Sequence, residues 1–306
     1  MTNPTAPTLR TEQDVTAPRA HLFGLSAAMV TPFTDEGTID TARAAAHADF
    51  LMQESLSGVT LFGTTGEGAS LGPKDRTRLL DAVMDAGVPA AKITVGIVAS
   101  DSETALDQIA AAQAKGVDRL LLAPPFYFKG VSQAALGTWV AQIIRAMKRE
   151  AQIILYHIPQ VTGVAFDAPL VRDLKDRFGT TIFGVKDSAG DWDHAQSLLA
   201  MDDLAILIGD ERLLARAAAL GGAGAISGMG NLLPGRVAKM IQTGVADPAL
   251  DALVDRIVSV PVTPLVKALV GGLHDDAGWS ATRPPLEPAD PALVSSVLET
   301  VRSMRP

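Results

Sequence analysis

Eight short apolar runs, none alternating with polar residues, constrain this chain more than any other feature. They span residues 25–30, 58–62, 93–98, 119–123, 152–156, 181–186, 204–208 and 224–226. Between them lie alanine-rich, charged stretches with helical spacing, among them 41–55, 73–86, 102–115 and 132–149. A strand that is apolar throughout is covered on both faces, which is how the strands of a parallel sheet read. Eight strand–helix units close such a sheet into a barrel. The competing arrangement is an open doubly wound sheet. The even spacing of eight runs, and the lack of a glycine-rich dinucleotide loop after the first, weigh against it. The pattern predicts an α/β fold, a (β/α)8 TIM barrel over residues 21–230. Gly58, Gly116, Gly221 and Gly222 stand just before apolar runs and are expected to supply left-handed helix caps. Residues 1–20 predict a flexible N-terminal arm. Residues 231–306 read as helices punctuated by Pro248, Pro261, Pro264, Pro284, Pro285 and Pro288, a C-terminal appendage packed on the barrel.

Composition removes several chemistries. The 306 residues include no cysteine, so disulfides, cysteine-ligated zinc and thiolate catalysis are excluded. A formal charge of −8 argues against nucleic acid as a partner. No apolar run approaches the roughly eighteen residues needed to cross a bilayer, so no membrane partner is expected. The first twenty residues lack the apolar core of a signal peptide, and a cytoplasmic location is the expectation.

Barrel active sites form at the C-terminal ends of the strands. Those ends carry Thr31-Pro32-Phe33, Gly63-Thr64-Thr65-Gly66-Glu67-Gly68, Phe126-Tyr127-Phe128, Tyr156, Lys186, Asp210-Glu211 and Ile226-Ser227-Gly228. The histidines give no metal-ligand spacing. His47 lies in a helical stretch, and His157 follows Tyr156 and should face the other way. No metal site is expected, and neither a nucleophile elbow nor a phosphate-binding loop is present. The reactive set is a lysine, tyrosines and threonines. Lys186 ends an apolar run, where desolvation favours the neutral amine that attacks a carbonyl. This set suits Schiff-base chemistry on a 2-keto acid, with a covalent imine on Lys186 and no other cofactor. Tyr156 would move protons, and a hydroxyl such as that of Thr65 would hold its phenol. Backbone N–H groups around Thr64 and Thr65 would receive the carboxylate. Singly, each feature has a plainer reading: a tight loop, a barrel-lining tyrosine, a surface tyrosine. Together, on neighbouring strand ends, they favour an active site.

These motifs resemble the dihydrodipicolinate synthase / N-acetylneuraminate lyase family of class I, pyruvate-dependent aldolases. The resemblance runs from about Leu22 to the C-terminal helices. It rests on Val30-Thr31-Pro32-Phe33, Gly63-Thr64-Thr65-Gly66-Glu67, Tyr156-x-x-Pro159, Gly184-Val185-Lys186-Asp187, Gly221-Gly222-Ala223-Gly224-Ala225-Ile226-Ser227 and Arg283-Pro284-Pro285-Leu286. It implies that Lys186 forms the Schiff base, that Tyr156 transfers protons, and that Thr64 and Thr65 bind the pyruvate carboxylate. Thr65 would relay to Tyr156, and the Ile226 backbone would approach the keto acid. It also implies a homo-oligomer, a dimer of dimers, in which Tyr127 reaches a neighbouring subunit's site.

The departures concern the second substrate. Synthases place an arginine two residues after the proline of the tyrosine motif, where this chain has Val161. Valine cannot replace a bidentate carboxylate contact. The acidic pair of the sialic-acid lyases falls on Glu211 and Arg212, and their sugar-binding serine on Gly228. A polar mouth remains, with Ser188, Asp210 and Glu211 available to bind hydroxyls. Asp210 and Glu211 equally suit a helix N-terminus. The leading expectation is a lyase that cleaves a hydroxylated 2-keto acid, of the 2-keto-3-deoxy sugar acid type, to pyruvate and an aldehyde. The alternatives are a dehydratase or deaminase using the same iminium, 4-hydroxy-tetrahydrodipicolinate synthase (disfavoured by Val161), and a non-catalytic keto-acid sensor.

Overall fold

The computed structural model describes residues 22–54 and 56–305; the arm expected at 1–20 lies outside the described residues. Its strands are β1 (Gly24–Ala28), β2 (Gly58–Leu61), β3 (Ile93–Ile97), β4 (Arg119–Leu122), β5 (Gln152–His157), β6 (Ile182–Asp187), β7 (Ala205–Ile208) and β8 (Gly224–Ser227). Each pairs in parallel with the next and β8 pairs with β1, so the sheet closes into a barrel. The helices are α1 (Thr41–Gln53), α2 (Pro73–Asp85), α3 (Ser102–Ala114), α4 (Gln133–Ala146), α5 (Pro159–Thr162) and α6 (Ala168–Phe178). They continue with α7 (Trp192–Leu199), α8 (Glu211–Ala219), α9 (Pro234–Thr243), α10 (Pro248–Val258), α11 (Val262–His274) and α12 (Pro291–Met304). The predicted (β/α)8 barrel and its C-terminal helices are what the chain forms.

The absence of alternation in the strands has a direct cause. Leu121, Ile154, Tyr156, Ala205, Leu207 and Ile226 fill the barrel interior. Their neighbours Leu120, Leu122, Ile153, Leu155, Ile206 and Ile208 pack outward against the helices. Both faces are apolar because both are buried, so a period-2 pattern has nothing to mark. Helix starts are fixed locally. Asp40, Asp101, Ser132, Asp167, Asp191 and Asp210 each accept a backbone N–H from the first turn of the helix they precede. Such caps contribute about 1 kcal/mol apiece.

One expectation changes. Gly116 and Gly221 take positive φ as predicted, at 81° and 91°. Gly58 and Gly222 do not. Gly58 opens β2, where a side chain would collide with the Lys92 carbonyl just before β3, so close backbone approach demands glycine there. The helices expected after residue 230 pack on the barrel. Helix α9 packs on β1 and α8, completing the ring of helices around the sheet. Helices α10, α11 and α12 then pack on one another, and α10 packs on α8. Arg283 joins this late region to the barrel, pairing with Asp75 at 2.6 Å and donating to the Gly37 carbonyl at 2.7 Å. Among the described residues no helix is long and apolar enough to cross a membrane.

Candidate active site

Strand register brings the lysine and the tyrosine together. In the β5–β6 ladder Tyr156 stands opposite Lys186, and Leu207 of β7 stands opposite Lys186 on its other side. Tyr156 and Leu207 belong to the interior cluster, so the lysine side chain enters the barrel with them. Lys186 is 5% exposed. Its Nζ donates to the Tyr156 hydroxyl at 3.2 Å and lies 4.3 Å from the centre of the tyrosine ring. A third group completes the row: Thr64 Oγ1 is 3.2 Å from the same phenol oxygen. An amine, a phenol and a hydroxyl thus form one hydrogen-bonded line from the buried barrel interior out to exposed Thr64, an arrangement that can pass a proton.

The threonine in that line corrects the sequence reading, which gave the relay to Thr65. The loop after β2 turns sharply, with Phe62 at φ 61° and Glu67 at φ 55°, and simple in–out alternation ends at the strand. Thr64 is thereby aimed at Tyr156. The Thr65 hydroxyl lies towards Gly228, where an added side-chain carbon would stand 3.7 Å from it. The loop is held by hydrogen bonds from Glu67 N–H to the Thr64 carbonyl at 3.0 Å and from Thr31 Oγ1 to the Gly66 carbonyl at 2.7 Å.

Of the other predicted residues, Ile226 is buried on β8 in the barrel interior. Ser188 follows Lys186 at the rim, half-buried, and its Oγ covers Gly209, where any side chain would collide with it. The Ser188 carbonyl accepts from Gln160 Nε2 at 2.5 Å. Asp210 and Glu211 do not offer free carboxylates to the mouth. Asp210 caps α8, accepting the Arg212 N–H at 3.1 Å, and its oxygens hold the Arg212 guanidinium at 2.9 and 2.6 Å. Glu211 is buried, accepting from Ser227 Oγ at 2.5 Å and from Met229 N–H at 3.3 Å, and burial pushes its carboxyl pKa up. It braces the turn after β8. Tyr127 stands outside the hydrogen-bonded line: it is 75% exposed, edge-on to Phe128, itself 67% exposed. Lys129, from the same loop, donates to the Thr162 carbonyl at 2.6 Å, joining the β4 loop to the segment that carries Val161.

Behind the site lies a cluster that sequence spacing did not reveal. His157 turns away from Tyr156, as expected, and stacks on His194 of α7 with ring centres 3.9 Å apart. Phe166 N–H donates to His157 Nδ1 at 3.1 Å, and the Phe166 carbonyl accepts from His194 Nε2 at 2.9 Å. The other nitrogen of His194 meets Asp187 Oδ2 at 3.1 Å. His194, donating from both nitrogens, is the charged ring, and His157, accepting, is the neutral one. Burial and the charge of His194 lower the His157 pKa from 6.5 to about 4. For His194 burial opposes charging, but Asp187 and the Phe166 carbonyl together hold its pKa above the ordinary 6.5. The ligand atoms of His157, Asp187 and His194 lie within 4.8 Å of one another. The rings are only 14° from parallel, so their in-plane lone pairs do not converge, and His157 Nδ1 and both nitrogens of His194 are engaged by Phe166 and Asp187. The trio clasps the β5–α6 connection to the residue after Lys186. His194 gave no sequence signal, because it sits seven residues from Asp187 and thirty-seven from His157 in an ordinary amphipathic helix. Lys267 did give one: it is a lone charge inside the apolar helix α11.

Comparison with known proteins agrees with this geometry. The model of the dihydrodipicolinate synthetase family matches residues 21–290. An uncharacterised DapA-like lyase of Chloroflexus aurantiacus is 34% identical over 279 residues, covering 87% of this chain and 91% of the relative. A 4-hydroxy-tetrahydrodipicolinate synthase of Salinibacter ruber is 30% identical over 284 residues, covering 87% and 90%. The crystal structure of dihydrodipicolinate synthase from Agrobacterium tumefaciens superposes with a TM-score of 0.89 at 42% identity, covering 93% of this chain and all of that one. Sequence, fold and the lysine–tyrosine–threonine row thus lead to one place: the chain belongs to the dihydrodipicolinate synthetase family.

Proposed function

We propose that the chain is a Schiff-base lyase that reversibly cleaves a small hydroxylated 2-keto acid to pyruvate and an aldehyde. The observation that carries this reading is the row Lys186 Nζ–Tyr156 Oη–Thr64 Oγ1, each step 3.2 Å, which runs from the buried lysine and tyrosine to an exposed threonine. The Lys186 amine adds to the ketone and water leaves, giving an iminium. The C3–C4 bond then breaks, its electron pair entering the iminium to form an enamine, while Tyr156 takes the proton from the C4 hydroxyl. The aldehyde departs, C3 regains a proton, and water releases pyruvate and the free lysine. Backbone N–H groups near Thr64 and Thr65 receive the carboxylate.

The aldehyde side supports a neutral, hydroxylated partner. Val161, where synthases carry the arginine, is 57% exposed on α5 and offers no charge. With Asp210 and Glu211 engaged elsewhere, hydroxyl recognition falls on Ser188 and Gln160. A second reading, 4-hydroxy-tetrahydrodipicolinate synthase, is favoured by the synthases among the relatives, one of them 42% identical. A dehydratase or deaminase would use the same iminium but keep the carbon skeleton whole.

One panel separates the three. Purified protein is given 2-keto-3-deoxy sugar acids, or pyruvate with aspartate semialdehyde, and products are identified by mass. Pyruvate plus an aldehyde from a sugar acid is the expected result. A keto acid of unchanged carbon count assigns dehydration or deamination, and a cyclic product from the semialdehyde assigns the synthase.

A further inference from the structure

We infer that helix α11, outside the barrel, is a working part of the active site: its Thr263 and Lys267 are positioning residues that hold the Thr64–Thr65 loop in its reactive shape. The inference rests on the Schiff-base reading of the site. Two residues with side chains, Phe62 and Glu67, bracket the loop in the left-handed region, at φ 61° and 55°. Non-glycine residues are held there only when surrounding contacts over-determine them.

Those contacts come from two buried cations. Arg76 of α2 lies over the Phe62 ring, 4.2 Å from its centre, and donates to the Gly96 and Gly68 carbonyls. Lys267 of α11 donates to Glu67 Oε1 at 2.7 Å, with side-chain exposures of 0% and 1% for the pair. Its ammonium also lies 4.2 Å from the centre of the Phe33 ring. One helical turn earlier, Thr263 Oγ1 donates to the Thr64 carbonyl at 3.4 Å. One face of α11 therefore touches the loop at both ends, at the residue that contacts Tyr156 and at the strained residue three positions later.

A purely structural role explains this poorly. A fully desolvated ion pair is a weak way to stabilise a core, and apolar residues of like volume usually serve as well or better. Burial lowers the Lys267 pKa and the Glu67 carboxylate opposes that shift. What the pair supplies is direction. Glu67 can rest in only one orientation, and the turn from Thr64 to Glu67 is fixed with it. Glu67 Oε2 has no partner among the described residues, which leaves Lys267 as the compensating charge.

The test uses the full chain and pyruvate, with two readouts. One is the pyruvate concentration giving half-maximal borohydride trapping on Lys186. The other is deuterium uptake at C3 of pyruvate in D2O, which reports enamine formation. Lys267→Met should slow deuteration roughly 10- to 100-fold and raise the half-trapping concentration, the scale that displaced reacting groups give. Thr263→Val, a near-isosteric change, should slow deuteration about two- to tenfold, as loss of one hydrogen bond predicts. Lys267→Arg, which keeps the charge, should recover part of the loss. Folded Lys267→Met and Thr263→Val proteins with wild-type trapping and deuteration would overturn the inference. If Lys267→Met does not fold, Thr263→Val alone decides, and a wild-type rate overturns it. A wild-type chain that forms no adduct with any 2-keto acid fails one level lower: it removes the Schiff-base reading and this inference with it.

Discussion

Which threonine touches the phenol was the point at which residue-level reading reached its limit. Lys186 and Tyr156 were legible because a strand fixes which side chains face inward, and their cross-strand pairing then follows from register. Thr64 and Thr65 lie past the strand, in a loop whose direction is set by left-handed Phe62 and Glu67, and no periodicity extends through such a turn. Asp210 and Glu211 were left between two readings, hydroxyl binding and a helix N-terminus, for a related reason. A sequence shows an acidic pair at a strand end but not that Arg212 and Ser227 already occupy it. The distinction between the threonines is measurable. Thr64→Val should slow pyruvate deuteration about tenfold, the value of one hydrogen bond to a reacting group, with binding little changed. Thr65→Val should chiefly raise the pyruvate concentration required. Tyr156→Phe should cost at least about 100-fold in the same assay, the lower range for a proton-transfer group. Equal effects of the two threonine changes would argue against the row seen here.

The strands and the first four helices were read to within three residues, since eight doubly buried strands and aspartate-capped helices leave their marks in the sequence. Contacts between elements were not. The clasp of Phe166 by His157 and His194 joins β5, the loop before α6, and α7. Its charge state makes it sensitive to pH, with two opposite signs. His194 has a raised pKa, so its contribution is complete below 6.5 and is lost as pH rises through its folded value. Asp187 and Asp191 favour that charge, and neutral His157 is the ring stacked against it. His157 is held near 4, so the unfolded chain binds the proton first, and its contribution is lost as pH falls from 6.5 towards 4. Buried His47, also held near 4, acts in the same direction. Thermal stability should therefore decline on the acid side across that window. His157→Asn keeps an acceptor for the Phe166 N–H and should flatten part of that decline; an unchanged acid profile would show that the clasp does not titrate as described.

At the scale of the molecule, the barrel buries nearly every large apolar side chain but leaves Tyr127 and Phe128 exposed together at its rim. The chain has only two tyrosines, and the one not in the lysine–tyrosine–threonine row is in this pair. Exposed aromatics beside a site mark an interaction surface. We expect a homo-oligomer sealed in part by this pair, so Tyr127→Ser with Phe128→Ser should shift the mass in light scattering towards smaller species. An unchanged mass would place the subunit contact elsewhere. The overall architecture was legible because closure of eight parallel strands leaves few alternatives. The place of α11 was not, since its contact with the β2 loop joins residues about two hundred positions apart. The central claim is that Lys186 is the covalent centre of this barrel. Borohydride trapping with pyruvate, read by intact mass and peptide mapping, tests it most directly. The account predicts a reduced adduct on Lys186 that is absent from Lys186→Ala. A folded wild-type chain left unmodified by pyruvate and by other 2-keto acids would contradict it, as would an adduct on another lysine.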